Sequence, residues 1–485
     1  MDTKINNNKE LKLWEALIPV VALIGMLAFN VYIYGDASLG GSNQFVLLLG
    51  GAVAAIVGYF NKVSFHKMLD EVANNIKSTA GAILILLMVG ALAGTWMVSG
   101  IIPSMIYYGL QILSPAIFLP ATLIICSVIS IATGSSWTTS ATVGIALIGI
   151  GGALGFDLGM VAGAVISGAY FGDKLSPMSD TTNLAPAMAG TDLFTHIKYM
   201  TLTTIPTYII TLILFIILGL SIEVKGDVNT NELLTAITTS FNVSGWLFLV
   251  PVIVIGLIVK KTEPLVALLV GTLLAGIFAV IFQPQIINQI AGVETMDFKS
   301  AYKGVMDAIT SKVVVPTENK TLADLFTSGG MAKMLPTIWL ILCAMVFGGI
   351  MDAIGALARI SESLLKLAHT TFGLFASTVG SCLALNITAS DQYLAIVVPG
   401  KMFAKAYRDK GLAPENLSRT LEDTGTVTSV LVPWNTCGAY QAGTLGVSTL
   451  DYLPYAFFNI ISPFMTLIFA AFNIKIKQLV SNIKE

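Results

Sequence analysis

Long apolar runs with few or no charged residues recur along this chain of 485 residues, separated by shorter polar stretches. A run near 20 residues is long enough for a helix to cross the hydrocarbon core of a bilayer, which is about 30 Å thick. Runs of this kind lie at residues 14–34, 43–60, 79–98, 115–131, 202–220, 244–259, 264–282, 334–351, 372–385 and 452–472. The pattern predicts an all-α polytopic membrane protein with about ten spans and some shorter half-helices.

The composition agrees with this class, because 55% of the residues are hydrophobic and only 11% are charged. Soluble domains carry about 25% charged residues. The net charge of −2 gives no reason to expect a nucleic-acid partner. The four cysteines lie in apolar or motif segments without CxxC spacing, so we expect neither a disulfide framework nor a zinc site.

The basic residues predict which ends of the spans face the cytoplasm. Lysine and arginine concentrate before residue 14, at 62–77, at 260–261, at 401–419 and after residue 472. By the positive-inside rule these places are cytoplasmic. We therefore expect cytoplasmic tails at 1–13 and 475–485, and an extracytoplasmic linker at 223–243.

The two halves of the chain resemble each other, with residues 14–222 matching residues 244–474. A shift of 255 aligns residues 133–136 with 388–391, and a shift of 250 aligns residues 172–179 with 422–429. Because the flanking charges orient the two copies oppositely, the pattern predicts two inverted repeats with broken helices, as secondary transporters have. The alternative is that Gly- and Ala-rich spans align by chance.

Three stretches between the spans are more polar. The loop 283–333 mixes acids and bases in about equal numbers, and we expect it to be a solvated outer connection. The amphipathic stretches 65–78 and 298–311 occupy matching places in the two halves, and we interpret both as interfacial helices.

Four polar clusters interrupt the apolar sequence and carry the candidate chemistry. They lie at 131–140, 168–189, 386–393 and 421–436. In the second cluster Pro177 removes a backbone N–H and disfavours a continuous helix. An ionised acid exposed to lipid at mid-membrane costs about 2.5–3.5 kcal/mol, so the acids of these clusters must face an interior, a water-filled cavity or the interface.

Acids beside neutral oxygens suit a hard monovalent cation that has lost its water. The acids of the clusters would supply charge, and hydroxyl and amide oxygens would complete the coordination. The candidate ligands are Asp173, Asp180, Asp391, Glu422, Asp423, Thr133, Ser135, Ser136, Ser179, Thr181, Asn183, Thr426 and Ser429.

Simpler interpretations stand beside this one. The pairs Asp173–Lys174 and Glu422–Asp423 are also what helix ends at the surface look like, whereas Asp391 lies between two apolar runs. The histidines, His196 among them, fall at predicted span ends, where surface positions are common. An intramembrane enzyme is a rival class, but the chain has no Walker A loop, no HExxH and no GxSxG motif. A channel is a further alternative.

Four motifs resemble those of the NhaC family of bacterial Na⁺/H⁺ antiporters. They are GDKLSPMSDTTNLAP, ATGSSWTT, ASDQYLA, and LEDTGT followed by VPWNTCGAY, and the similarity extends from residue 14 to residue 472. The resemblance implies a secondary transporter of the bacterial inner membrane, without enzyme activity or cofactor, that exchanges Na⁺ for H⁺. It also implies re-entrant hairpins, a transport domain that moves against a scaffold in an elevator-like way, and a homodimer.

The cargo stays open at this stage. Relatives in the same family exchange malate for lactate together with Na⁺ and H⁺, or carry amino acids. The alternative is therefore a Na⁺/H⁺-coupled exchanger of small organic anions or amino acids. Moving a carboxylate from water into a dry site disfavours its charged form. Na⁺ and H⁺ would then compete for the same carboxylate, and exchange follows if the domain reorients only when that charge is neutralised.

Overall fold

Helices make up nearly all the regular structure in residues 11–34, 40–221, 230–317 and 326–479, which are the residues that this computed structural model describes. Parts of the predicted connections lie outside these ranges: residues 1–10 of the N-terminal tail, residues 223–229 of the linker, residues 318–325 of the polar loop and residues 480–485 of the C-terminal tail.

Thirteen described helices precede the polar loop. In order they are α1 (Leu13–Tyr34), α2 (Ser42–Phe60), α3 (Phe65–Val98), α4 (Ile101–Ile112), α5 (Pro115–Thr133), α6 (Ser136–Thr139), α7 (Ile145–Ala153), α8 (Leu158–Leu175), α9 (Asp180–Ala189), α10 (Leu193–Ser221), α11 (Thr230–Ser240), α12 (Leu249–Val259) and α13 (Pro264–Phe282). A π-helical turn, Ser140–Gly144, joins α6 to α7, and a 3₁₀ turn, Gly245–Phe248, precedes α12.

The remaining elements begin in the polar loop. They are α14 (Pro284–Ala291), α15 (Phe298–Thr310), β1 (Val313–Val314), β2 (Thr327–Ser328), α16 (Leu335–Ala353), α17 (Ala356–Leu365), α18 (Thr371–Thr388), α19 (Gln392–Asp409), α20 (Pro414–Leu421), α21 (Thr436–Leu445), α22 (Thr449–Tyr452) and α23 (Phe457–Ala471). β1 and β2 pair antiparallel. A π-helical turn, Glu422–Thr426, and a 3₁₀ turn, Ser429–Leu431, follow α20.

Within the described residues, eight helices are long and apolar enough to cross a membrane, and the number rises to ten if two bent pairs each count as one span. The bent pairs are Asn231–Ser240 with Gly245–Val259, at 83°, and Thr449–Tyr455 with Phe457–Ala471, at 54°. The prediction of an all-helical, multi-span membrane protein with broken helices is confirmed.

The polar connections are more structured than the sequence indicated. The stretch 65–78 is not a separate interfacial helix, because α3 runs unbroken through 34 residues into the next span. The loop 283–333 is not simply solvated, since α15 packs against α3 and the side chains of Ile287, Ala308 and Phe326 are fully buried. Small residues on one face of α15 permit this close packing, which polarity alone does not reveal.

The starts of five helices recur 256 residues later. The starts of α5, α6, α8, α9 and α10 correspond in this way to those of α18, α19, α20, α21 and α22. The left-handed residues that end α5 and α9, Gly134 and Gly190, correspond to Ser390 and Gly446. The shift of 255 expected at the first motif is one residue from this register, but the shift of 250 that aligned 172–179 with 422–429 is not the register of the helices.

The segment after α23 is attached to the rest of the fold. Residues 477 and 479 pair with the turn between α19 and α20: the N–H of Ala413 donates to the carbonyl oxygen of Lys477 at 3.0 Å, and the N–H of Leu479 donates to that of Gly411 at 2.7 Å. The hydroxyl of Tyr199 on α10 donates to the carbonyl oxygen of Lys475 at 2.7 Å. The described part of the predicted C-terminal tail therefore packs against α10 and α20.

We expect Gly94→Ala to destabilise the protein by about 1–3 kcal/mol, because overpacking a tight contact has this cost. A Cβ at Gly94 on α3 would press directly against the backbone carbonyl of Ala308 on α15. Gly81→Ala on the same helix is the control, since a Cβ there meets nothing within 4 Å. Thermal unfolding of the two purified variants in detergent measures the difference, and equal melting temperatures would contradict the close packing of α3 and α15.

Candidate functional site

Four helix breaks bring the polar clusters together. They separate α5 from α6, α8 from α9, α18 from α19, and the 3₁₀ turn after α20 from α21. The first residues of the helices that follow these breaks, Ser136, Asp180, Gln392 and Thr436, all line one cavity. Each break leaves backbone N–H groups without intrahelical partners, and these must be capped.

The break between α5 and α6 faces the break between α8 and α9. Gly134 has a φ of 68°, and a Cβ added there would lie 2.6 Å from the Cβ of Met178. The hydroxyl of Ser135 then caps α6 by accepting the N–H of Thr138 at 3.1 Å. Ser136, the next residue, donates its hydroxyl to Oδ2 of Asp173 at 2.7 Å. The turn thus joins a hydroxyl of one cluster to a carboxylate of another.

The break between α18 and α19 is built around an acid. Ser390 has a φ of 59°, which is uncommon for a residue other than glycine. Asp391 caps α19, since Oδ1 accepts the N–H of Leu394 at 3.0 Å. The break is tied to the start of α21, because the N–H of Thr436 donates to the carbonyl oxygen of Ser390 at 3.0 Å. Trp434 supports it from the same side, with Nε1 donating to the carbonyl oxygen of Ile387 at 2.8 Å.

The cavity between the breaks has a volume of about 560 Å³. Eight of the thirteen candidate ligands line it: Thr133, Ser135, Ser136, Asp173, Ser179, Asp180, Thr181 and Asp391. Asp173 and Asp391 are buried, whereas Asp180 is exposed. The other charged residues in the lining are Lys261 and Glu263, in the exposed turn between α12 and α13. Four carboxylates and a single lysine make the cavity acidic.

The carboxylates are not clustered tightly. Among the residues that the structure describes, no three acidic, histidine or cysteine side chains lie close enough to hold one metal ion. A cation in this cavity would therefore take at most two of these carboxylates, and hydroxyl, backbone or water oxygens would supply the remaining ligands.

The other five candidate ligands do not line the cavity. Asn183 is exposed and donates Nδ2 to the carbonyl oxygens of Pro177 at 3.0 Å and Ser179 at 2.7 Å, which closes the turn before α9. Ser429 donates to the carbonyl oxygen of Thr426 at 2.6 Å and lies 3.0 Å from Oε1 of Gln392. Thr426 donates to the carboxylate of Glu422.

Glu422 is fully buried behind the cavity wall. Thr181 donates to its Oε1 at 2.9 Å, and the hydroxyls of Thr181 and Ser179 lie 3.2 Å apart. Glu422 is therefore connected to the cavity through two hydroxyl groups and does not face it.

Asp423 forms an ion pair with Lys174, and both side chains are fully buried. Thr466 on α23 also donates to this carboxylate. The alternative that Asp173–Lys174 and Glu422–Asp423 are surface helix ends is therefore wrong. The expectation of a surface histidine fails at His196, which is fully buried with Nδ1 2.8 Å from the hydroxyl of Ser418.

Sequence reasoning did not assign a role to three residues that shape this region. Lys174 is the partner of Asp423, and Gln392 lines the cavity. The guanidinium of Arg419 is fully buried and lies 4.6 Å from the ring centre of Tyr199, with no hydrogen-bond acceptor among the described residues. A single lysine inside a motif otherwise free of bases was the available signal for Lys174, since a buried base requires an acid.

The comparison with known families decides the class of this site. The model of the Na⁺/H⁺ antiporter family matches residues 168–474, which include three of the four helix breaks. The chain belongs to the Na⁺/H⁺ antiporter family. Like the curated members of this family, it is a multi-pass membrane transporter and not an enzyme.

The names of the proteins that this chain resembles give different cargoes. The Na⁺/H⁺ antiporter NhaC of Alkalihalophilus pseudofirmus is 38% identical over 86% of this chain and 87% of its own length. The malate-2H⁺/Na⁺-lactate antiporter of Bacillus subtilis is 36% identical over 94% of each chain. The arginine/ornithine antiporter ArcD of Halobacterium salinarum is 34% identical over 94% of this chain and 90% of its own. Among solved structures, that of Neisseria gonorrhoeae MtrF has a TM-score of 0.40 and 13% identity, covering 93% of this chain and 95% of MtrF.

In this antiporter-family chain we expect Asp423→Asn to destabilise the fold by about 3–5 kcal/mol, because it leaves the charge of Lys174 buried without a partner. The double variant Lys174→Met with Asp423→Asn removes both charges and should recover most of the lost stability and the transport activity. Lys303→Met is the control, because Lys303 and Asp307 form an exposed ion pair at 3.0 Å, for which about 0–1 kcal/mol is expected. Melting temperatures in detergent and transport in proteoliposomes give the result. A double variant that is stable but inactive would show that the Lys174–Asp423 pair acts in transport itself.

Proposed function

We propose that the protein is a secondary transporter that exchanges Na⁺ for H⁺ through the cavity between the four helix breaks. One observation supports this above all: the cavity is lined by four carboxylates and ten serine or threonine residues but only one lysine among the described residues. An acidic cavity with neutral oxygens attracts a hard cation and repels anions.

In this proposal Asp391 and Asp173 are the charged ligands of Na⁺. Both carboxylates are buried and both stand at helix breaks. Thr133, Ser135 and Ser136 are the neutral ligands, since they share the cavity wall with Asp173. Asp180 is exposed at the start of α9, and its place is at the entrance where hydrated Na⁺ is first attracted.

The proton competes with Na⁺ for the same buried carboxylates. Desolvation disfavours an empty, ionised carboxylate, and either ion relieves this cost. If the protein reorients only with these charges neutralised, the binding of one ion excludes the other and exchange is obligatory. Neither Asp423, which is paired with Lys174, nor Glu422, which faces away from the cavity, is needed as a Na⁺ ligand.

We also propose that residues 14–222 and 244–474 are inverted repeats, and that the parts of both repeats that contain the breaks move together against a scaffold as an elevator-like transport domain. The recurrence of five helix starts at a shift of 256 supports the repeat. The distribution of lysine and arginine supports the opposite orientation of the copies and cytoplasmic tails in a bacterial inner membrane. A homodimer stays a prediction from the family resemblance.

The alternative is an exchanger of small organic anions or amino acids that is coupled to Na⁺ and H⁺. The names of the relatives in Bacillus subtilis and Halobacterium salinarum favour it. The acidic lining argues against a free dicarboxylate as the cargo, because four carboxylates face it and only one lysine does.

The test uses proteoliposomes with an imposed pH gradient, to which Na⁺ is added without any organic solute. We expect Na⁺ to collapse the gradient, and Asp391→Asn and Asp173→Asn each to slow this at least about tenfold because a ligand charge is lost. Asparagine is as good an N-cap as aspartate, so Asp391→Asn should keep α19 intact. Asp409→Asn, at the exposed far end of the same helix, is the matched control.

Two outcomes would contradict the proposal. Unchanged exchange in Asp391→Asn would remove that residue from the Na⁺ site. A gradient that Na⁺ collapses only when malate, lactate or an amino acid is present would favour the organic exchanger.

A further inference from the structure

The acidic cavity attracts every hard cation, and its charge attracts a divalent cation more strongly than Na⁺. The electrostatic free energy of an ion in a negative potential is proportional to the charge of the ion, so it is twice as large for a divalent cation. Mg²⁺ and Ca²⁺ also bind to oxygen ligands. Among the described residues, no three acidic side chains lie close enough to chelate one metal ion. The choice between Na⁺ and a divalent cation therefore depends on the summed charge of the lining.

Lys261 is the one basic side chain in this lining, among the residues that the structure describes. The acids of the lining are Asp173, Asp180, Asp391 and Glu263, so four negative charges against one positive charge give −3 when all are ionised. The side chain of Lys261 is exposed and forms no ion pair with a described residue. Its charge is therefore not neutralised by a single neighbouring acid and acts on the cavity as a whole.

The turn after α12 holds Lys261 in a conformation that favours glycine. This turn is a Schellman motif, in which the N–H of Lys261 donates to the carbonyl oxygen of Ile258 at 2.8 Å and the N–H of Thr262 donates to that of Leu257 at 3.1 Å. Lys261 occupies the left-handed position of the motif with a φ of 65°, where glycine is the usual residue. The backbone therefore gives no reason for a lysine at this position, and glycine fits the turn without strain.

Lys62 is a matched lysine away from the cavity. It follows α2 in the same motif, since its N–H donates to the carbonyl oxygen of Tyr59 at 3.0 Å and the N–H of Val63 donates to that of Gly58 at 3.0 Å. Its φ is 61°, and its side chain is exposed but does not line the cavity. The two lysines therefore share one backbone conformation and differ in whether they face the acids.

We infer that Lys261 is a specificity-determining residue that keeps divalent cations from competing with Na⁺ for the cavity. Its ammonium group weakens the attraction of the cavity for every cation, and for a divalent cation it does so by twice the free energy. Lys260 and Lys261 place this turn on the predicted cytoplasmic side, where Mg²⁺ is the common divalent cation. This inference rests on the proposed function, because it concerns the choice of cation by the same cavity.

The test measures two constants in proteoliposomes with an imposed pH gradient, at low ionic strength and at alkaline external pH, where protons compete least. They are the Na⁺ concentration for half-maximal exchange and the inhibition constant of Mg²⁺ present on both sides of the membrane. We expect Lys261→Gly to lower the Na⁺ constant about two- to threefold, which is the effect of one unit charge a few ångströms away in water-like surroundings. The Mg²⁺ constant should fall by the square of that factor, about four- to ninefold.

Three further variants are controls. Lys62→Gly makes the same substitution in the same backbone conformation away from the acids, and it should leave both constants unchanged. Lys261→Arg keeps the charge and should retain the constants of the unmodified protein. Glu263→Gln removes an acid from the same turn and should raise both constants, again with the Mg²⁺ factor equal to the square of the Na⁺ factor. If Lys261→Gly does not fold, Lys261→Asn replaces it, because asparagine also tolerates a positive φ.

The inference is overturned if Lys261→Gly leaves Mg²⁺ inhibition unchanged, if Lys62→Gly strengthens it equally, or if Lys261→Arg behaves like Lys261→Gly. It is also overturned if the Na⁺ and Mg²⁺ constants change by the same factor, because a local distortion and not a charge would then be the cause. Na⁺-driven exchange with a Mg²⁺ response that is independent of Lys261 would keep the proposed function and remove this inference alone. An unmodified protein in which Na⁺ drives no exchange would remove both.

Discussion

A helix that ends in apolar surroundings must satisfy its own terminal N–H groups, since neither lipid nor packed side chains supply acceptors. Each of the four breaks meets this requirement with a side chain from its own loop. Ser135, Ser179, Asp391 and Asn435 accept N–H groups of the helices that follow them. The caps fix the loops, and the loops in turn fix where the hydroxyls and carboxylates of the cavity stand. The chemistry of the site is therefore a consequence of how the breaks are closed.

The protein contains two kinds of buried acid, which differ in whether a basic side chain lies beside the carboxylate. Asp423 is neutralised within the protein by Lys174, which links α8 to the π-helical turn after α20. In the part of the chain that the structure describes, Asp173 and Asp391 accept hydrogen bonds from neutral donors only: a serine hydroxyl for Asp173 and a backbone N–H for Asp391. An internal ion pair does not need a cargo ion, whereas a buried carboxylate that lacks a cationic partner is stabilised by one. This difference, and not burial alone, singles out Asp173 and Asp391.

The sequence was sufficient to predict the membrane class, the breaks and the acids beside them. Pro177 indicated the second break, and Asp391 between two apolar runs indicated the third, because each conflicts with a continuous apolar helix. It was not sufficient to distinguish Asp423 from Asp391, since that depends on Lys174, which lies 249 residues away in the chain. Nor did it reveal the register of the halves at the second break, because the alignment of 172–179 with 422–429 matched Asp173 to Asp423 and Ser179 to Ser429. Side-chain similarity was misleading there, since the two halves are alike in backbone and different in chemistry.

The register of 256 residues explains why that alignment was misleading. In this register Asp391 corresponds to Ser135, Asp173 to Ser429 and Asp180 to Thr436, so each cavity aspartate of one half corresponds to a hydroxyl of the other. Both members of the first pair cap a helix, so the hydroxyl keeps the backbone role of the acid without its charge. Acids at both positions of each pair would crowd like charges around one cavity, which raises the cost of ionising each of them. A site at which one monovalent ion neutralises the charge requires few carboxylates, and the exchange of acid for hydroxyl between the halves keeps their number low while the fold keeps its repeat.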